Sequence, residues 1–319
     1  VTVTAEFKAE EIALGGEREI VLSNGTEFDL DLGEYTSATV LSATLCGENA
    51  TYSNGKLTIT DEFKADVKKH GMQTLKVTVQ KDGKYYNVIA NVLVVTQDIT
   101  TFDELKSALK FDANNVKFGY YRLATDLIGY SWYQSGNNVG GGIWKNPNGE
   151  LGFRGTFDGN GFSIRETLNT TGLFGYVGKG AVIKNLTINL NQYKYSSGTP
   201  FMVFGYSMIG ATIDNVKVNV TKQQNDGITE IPSGISGLLT AIFSYGNTFN
   251  KLVIDAQKTD IDTLFGSCAY YGYPAGYEEN KFTACTVKVK SLIGLACTNN
   301  ANKVVTPCGG IDGLTIKEN

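Results

Sequence analysis

The 319-residue sequence has one histidine, two tryptophans, three methionines and five prolines, against 37 glycines. The lone histidine, His70, lies in the first third of the chain. An imidazole-based catalytic triad or a histidine-ligated zinc site is therefore excluded from the remaining two thirds, and His70 itself is expected at the surface. Scarce proline beside abundant glycine favours turn-rich β structure over a disordered linker. Five cysteines, Cys46, Cys268, Cys285, Cys297 and Cys308, include no CxxC pair. That spacing speaks against zinc or thioredoxin chemistry, and the odd number argues against a complete disulfide framework. No run of 18 apolar residues occurs. The formal net charge of −4, spread evenly, gives no electrostatic case for nucleic acid or anionic lipid. No signal peptide is evident at Val1, so for an exported protein the targeting and anchoring segments are expected outside this sequence.

What is present is organised around residues 153–190. Phe153, Phe157, Phe162 and Ile164 are set among Gly155, Gly159 and Gly161, so short extended segments alternate with tight turns. Asp158-Gly159-Asn160-Gly161 reads as a turn whose glycines take positive φ. Leu173-Phe174-Gly175 and a strand over residues 183–190 follow, with Ile183, Leu186, Ile188 and Leu190 apolar and Lys184, Thr187 and Asn189 polar. The unit then recurs. Phe174-Gly175-Tyr176 and the run 180–188 are echoed 30 residues later by Phe204-Gly205-Tyr206 and the run 210–218. Weaker echoes are Ile242-Phe243 before 249–254, Leu264-Phe265-Gly266 before 282–287, and Leu292-Ile293-Gly294 before 311–316. The marker series Leu186, Val216, Leu252, Cys285, Leu314 advances by 30, 36, 33 and 29 residues. A drifting period of short strands with no helix between copies is the signature of a solenoid of parallel strands about 4.8 Å apart, a parallel β-helix.

FRGTFDGNG at 153–161, followed by Gly172-Leu173-Phe174-Gly175 and Ile183-Lys184-Asn185-Leu186, resembles the GLUG-type repeat region of bacterial surface proteins, a group that includes adhesins and non-catalytic parts of some immunoglobulin A peptidases. The resemblance covers residues 100–319 and is carried by the first two repeats. After residue 240, Ser244 stands where the family has glycine and Cys285 takes an apolar position. It implies a right-handed β-helix on an extracellular bacterial protein, and it brings no catalytic residue, since the motif residues are structural.

Residues 1–97 differ in texture. Extended runs at 2–7, 19–22, 56–60, 73–80 and 85–95 are separated by hairpin-type turns at Asn24-Gly25, Asn54-Gly55 and Asp82-Gly83, with Leu75, Val77 and Val79 on one face. This spacing suggests a small β-sandwich. The runs Gly55-Lys56-Leu57-Thr58-Ile59 and Leu75-Lys76-Val77-Thr78-Val79, with Asp82-Gly83 and Leu93-Val94-Val95-Thr96, look like a bacterial Ig-like domain, which implies a spacer. The fold expected is all-β, an N-terminal Ig-like β-sandwich (1–97) followed by a capping helix and a right-handed parallel β-helix (98–319). Thr101 with Glu104 fits a capping box, and Phe102, Leu105, Ala108 and Leu109 share a helical face. Such a helix closes the first coil, whose apolar core and strand edges would otherwise be open. Residues 116–126 would form that coil and 128–150 a long loop.

Several β-helix enzymes cleave polysaccharides with paired carboxylates, for which Asp126, Asp158, Glu166, Asp214 and Asp255 are the candidates. Asp158 falls inside the DGNG turn, where it bonds local backbone, and Asp214 and Asp255 do not match in register. Arg154 and Arg165 could add a cation for an acidic sugar, but no Lys/Arg/Asp cluster repeats at one phase. Cys268 and Cys297 follow equivalent segments and would stack as small core residues or form a disulfide. Aromatic residues carry the functional hint: Tyr120, Tyr121, Tyr130, Trp132, Tyr133 and Trp144 near the first-coil loop, and Tyr270, Tyr271, Tyr273 and Tyr277 near the C-terminus. Exposed rings beside Asn and Asp suit protein contact or stacking on sugars; the alternative is that the loops fold back and bury them. The expected ligand-binding set is Tyr130, Trp132, Tyr133, Trp144, Tyr270, Tyr271, Tyr273 and Tyr277, with no metal, cofactor or catalytic residue. The expected function is a non-enzymatic adhesion module on the bacterial cell surface. It would be monomeric, not inserted in a membrane, and would meet a host glycan or an extracellular-matrix or surface protein. A structural stalk or phage-tail component and a polysaccharide-degrading enzyme are the alternatives.

Overall fold

The computed structural model describes residues 9–109, 116–132, 149–168, 172–193, 203–220, 235–265, 280–297, 304–305 and 312–318. Among these the protein is mostly β, with two α-helices, neither long and apolar enough to cross a membrane. It divides into two compact units, residues 1–98 with 119–121, and residues 99–118 with 122–319.

The first unit holds β1 (Glu10–Val21), β2 (Glu27–Asp29), β3 (Thr39–Leu45), β4 (Glu48–Ser53), β5 (Lys56–Thr58), β6 (Gly71–Lys81) and β7 (Lys84–Val95). Their order is β1-β7-β6-β3-β4-β5-β2. β1 runs parallel to β7, and the other described pairings are antiparallel. Strand alternation works as the sequence implies: Leu75, Val77 and Val79 of β6 are buried, while Lys76 is exposed. Their core includes Leu22, Leu32, Leu45, Leu57 and Val88. Asn54-Gly55 and Asp82-Gly83 join β4 to β5 and β6 to β7 with φ near 50° and 76° at each pair (50° and 77°, 50° and 75°), the two left-handed residues of a type I′ hairpin. Asn24-Gly25 is instead the end of a 3-10 turn, where the Gly25 N–H donates to the Leu22 carbonyl. The third hairpin, between β3 and β4, turns on Cys46-Gly47 at 54° and 78°. Cysteine carries no turn signal, so the sequence did not mark it. The strand expected at residues 2–7 lies outside the described residues.

In the second unit the capping box forms: the Glu104 N–H donates to Thr101 Oγ1 at 3.2 Å, and the Thr101 N–H to Glu104 Oε2 at 3.0 Å. The helix that it starts, Phe102–Leu109, buries Leu105, Ala108 and Leu109 and packs on the strand Leu127–Trp132. The rest repeats in parallel register. Val182–Tyr193 pairs with Thr212–Val220, Leu186 opposite Val216. Thr248–Asn250 and Val253–Phe265 come next, with Asp214 opposite Asn250 and Lys217 opposite Val253. Lys281–Thr283 and Cys285–Cys297 stack on those, and Leu314–Glu318 follows with Leu314 opposite Cys285. The marker residues Leu186, Val216, Leu252, Cys285 and Leu314 are all buried, as their spacing predicts.

One backbone feature makes each repeat turn. Asn185, Asn215, Lys251, Ala284 and Gly313 have φ of 52°, 54°, 52°, 53° and 81°, all left-handed. This single residue bends the chain so that Ile183 before it and Leu186 and Ile188 after it are all buried, an outcome that a straight alternating strand cannot give. The earliest copy is Asp158-Gly159-Asn160-Gly161. Gly161 takes positive φ (83°), but its partner there is Asn160 (51°), not Gly159. Gly159 is required for space: a Cβ would lie 2.6 Å from the Leu186 Cα.

Two expectations change. Residues 128–132 are not loop but part of a strand, with Leu127 opposite Ile164 and Trp132 opposite Leu168; the alternating Leu127 and Ile128 were masked in the sequence by the glycine and aromatics that follow. The later Phe-Gly echoes are also out of register. Gly205 stands opposite Thr240, and Phe243 opposite Ser207, across a bulge. Phe265 then stands opposite Thr240, and Gly294 opposite Thr263. Leu239-Thr240, not Phe243-Ser244, thus continues the Phe204-Gly205 position, as the Phe204 N–H bonded to the Leu239 carbonyl at 3.0 Å also records.

Candidate functional site

The strand that carries Tyr130 and Trp132 ends in register with the two stacked after it. Trp132 is opposite Leu168, Leu168 opposite Tyr193, and Leu190 opposite Val220. The described strands thus stop before residues 133–148, 169–171, 194–202 and 221–234: Trp132, Leu168 and Tyr193 share one register line, whereas Val220, opposite Leu190, stops three residues short of it. Tyr133 and Trp144 belong to the first of these segments and lie outside the described residues. Of Tyr130 and Trp132 only the backbone is described, within Leu127–Trp132. Tyr270, Tyr271, Tyr273 and Tyr277 also lie outside the described residues, in 266–279, which in sequence follow Val253–Phe265 and precede Lys281–Thr283. Tyr120 and Tyr121 are buried, which removes them from any ligand surface; burial pushes the Tyr121 hydroxyl up to about 12.

The carboxylates have structural partners. Asp126 accepts from the Ser163 N–H at 2.7 Å and from its hydroxyl at 3.0 Å, tying one repeat to the next. Asp158 accepts from the Asn160 N–H at 2.8 Å, the local turn bond expected of it, and from Asn185 Nδ2 at 3.1 Å, and it pairs with Lys184 at 3.2 Å. Asp214 accepts from Asn250 Nδ2 at 2.5 Å, and Asp255 from Gln257 Nε2 at 2.9 Å. Asp214 and Asp255 stand opposite Asn250 and Asn219, so they do not share a register line. Of Glu166 only the backbone is described. Arg154 donates to the Lys179 and Glu150 carbonyls, at 3.0 and 3.4 Å, and lies over the Phe118 ring, while Arg165 is exposed. Among the described residues no group of His, Cys, Asp and Glu could hold a metal.

Amides run along the same surface. Asn215 Nδ2 donates to Asn185 Oδ1 at 3.0 Å, and Asn219 Nδ2 to Asn189 Oδ1 at 2.7 Å, each spanning 30 residues. Inside, a second amide pair was missed by sequence reasoning. Asn247 is fully buried; it accepts from the Ala211 N–H at 2.9 Å and donates to the Met208 carbonyl at 2.8 Å and Asn280 Oδ1 at 2.9 Å. The signal was there in the register: Thr212, Thr248 and Lys281 align, so Asn247 and Asn280 follow Ala211 at one corner where alanine would leave those backbone groups unpaired.

His70 corrects its expectation. It is half-buried, with Nδ1 2.7 Å from Thr96 Oγ1 and Nε2 buried without a hydrogen-bond partner among the described residues. Burial lowers its pKa below the ordinary value, and the Phe63 and Lys64 backbone and the Asp66 carboxylate offset part of that. Cys46 and Cys285 are free. Burial raises the Cys285 thiol, which donates to the Phe249 carbonyl at 3.4 Å. Cys268 and Cys308 lie outside the described residues, as does the side chain of Cys297.

Comparison of the chain with protein-family models, with curated proteins and with solved structures gave no match.

Proposed function

We propose that this chain is a non-enzymatic binding module of a bacterial surface protein, in which an Ig-like sandwich acts as spacer and a right-handed parallel β-helix of GLUG type presents the ligand surface. It works outside the cell as a monomer and meets a host glycan or extracellular-matrix protein. The observation that carries this reading is the employment of the carboxylates: Asp126, Asp158, Asp214 and Asp255 each hold a turn, an amide or a neighbouring repeat. A glycosidase needs two carboxyls facing one bond with room for water or sugar between them, and these four are committed to the scaffold instead. The stacked parallel register supports the β-helix. The rings proposed for sugar stacking or protein contact are those of Tyr130, Trp132, Tyr133 and Trp144, and of Tyr270, Tyr271, Tyr273 and Tyr277.

The test is an array of glycans and host-matrix proteins probed with the whole chain and with the double variant Trp132→Ala, Tyr133→Ala. Saturable binding that the variant loses is the expected result. Silence across the array favours a structural stalk, and disappearance of an arrayed glycan favours an enzyme.

A further inference from the structure

The register gathers charges that the sequence scatters. The strands after the left-handed corner residue form one flat face, on which Arg165, Asn189, Asn219, Asp255, Lys288 and Lys317 stand in one line across six strands. Lys217 lies two residues before Asn219 on the same face, and Lys251 at the corner of the next repeat. From the third strand of this line to the sixth, each repeat therefore contributes one cation to the face: Lys288 and Lys317 stand directly opposite each other, at a strand spacing of about 4.8 Å, while Lys217 and Lys251 lie two and four residues before the line. None of these four, nor Arg165, has an ion-pair partner among the described residues, and all but the half-exposed Lys288 are exposed. Elsewhere in the same unit Lys184 and Lys290 are paired, with Asp158 at 3.2 Å and Asp260 at 2.8 Å. Asp255 is the one carboxylate in the line, and it accepts from Gln257.

We propose that this face binds an acidic linear polysaccharide carrying about one carboxylate or sulfate per sugar. The inference rests on the binding-module reading above and names the ligand class, but places it on the strands and not on the inserted aromatic segments. Three observations favour a glycan over other polyanions. A linear acidic glycan advances from ring to ring by a step close to the strand spacing, which suits the directly opposed Lys288 and Lys317, and the same glycan crossing the face meets Lys217 and Lys251. Between the cations stand the Asn189 and Asn219 amides and the Thr187 and Thr286 hydroxyls, which match sugar hydroxyls. The line carries no aromatic ring on which a base could stack, and a chain of net charge −4 disfavours a densely charged phosphate polymer.

The experiment measures binding of the whole chain to alginate, dextran sulfate, unmodified dextran and a DNA duplex by interferometry at low and physiological salt. Expected are binding to alginate or dextran sulfate, weakening with salt, and none to dextran; the one bound more tightly identifies the acid group. Lys217→Gln, Lys288→Gln and Lys317→Gln together should weaken binding about tenfold with an unchanged melting curve, and Asp255→Asn should tighten it. No binding of the wild type to either charged glycan, or a triple variant that binds like the wild type, overturns the basic face. Equal affinity for duplex DNA overturns the glycan assignment. Loss of alginate binding in Trp132→Ala, Tyr133→Ala with the triple variant unaffected would overturn this inference while leaving the binding-module reading standing.

Discussion

At the scale of single residues, the left-handed corner is where this chain departs most from what side chains prefer. Asparagine tolerates that region best after glycine, and Asn185 and Asn215 take it in the two strongest repeats. Ala284 takes it at φ 53° with no polar side chain to compensate. Ala284→Gly is therefore expected to stabilise the second unit by about 0.5–1 kcal/mol, the relief of strain outweighing glycine's extra entropy when unfolded; urea denaturation of the two proteins measures it. His70 sets a second residue-scale expectation. Its folded pKa lies below the ordinary 6.5 because burial disfavours the charged ring, so between the two values the unfolded chain binds a proton that the folded one does not. Stability of the first unit is then complete above pH 6.5 and declines as pH falls below it toward the folded pKa. Denaturation at pH 7.5 and 5.5 should show that decline, and His70→Gln should flatten it.

At the scale of elements, stacked strands succeed or fail by register. Phe174 and Phe204 are both buried, as the 30-residue echo predicts, and the Phe174 N–H donates to the Phe204 carbonyl at 2.8 Å. The Phe174 ring itself meets Phe153 and Phe157, with centroids 5.2 and 5.5 Å away. Phe174→Ala leaves a cavity beside two rings and should cost about 3–5 kcal/mol, read from the shift in denaturation midpoint at constant slope. The contrast between faces shows which registers were legible. The line from Leu186 to Leu314 was readable because an alternating strand recurs in every copy, led in the first three by a polar corner residue, Asn185, Asn215 and Lys251. The line through Phe204 was not, because a bulge moves Phe243 opposite Ser207 and lets Leu239 continue the position; a Phe-aligned echo follows the aromatic, whereas the backbone follows the ladder. Trp132 shows the same limit, since Gly129 and the nearby aromatics suggested a loop where parallel pairing makes a strand. The basic line was illegible for a different reason. Residues 165, 217, 251, 288 and 317 form no charge run, and only parallel pairing makes neighbours of them.

At the scale of the whole molecule, the division into two units makes unfolding the observable. The compositional change near residue 97 marks where the repeats' approach begins, but residues 119–121 group with the first unit, and nothing in their composition announces it. The physical tie is specific: Thr96 Oγ1 accepts from the Tyr120 N–H at 2.8 Å and bonds His70 Nδ1 at 2.7 Å, while the Tyr120 ring packs with Leu93 and Val95. Two units with separate cores are expected to melt in two calorimetric transitions. Phe174→Ala should lower only the transition of the second. Tyr120→Ala, although 22 residues beyond the last residue of the first unit's main segment, should lower the transition that also responds to acid through His70, by about 2–4 kcal/mol for a buried ring. If Tyr120→Ala instead moved the transition sensitive to Phe174→Ala, Tyr120 would belong energetically to the repeats, and the His70–Thr96–Tyr120 contact would be incidental to the first unit's stability.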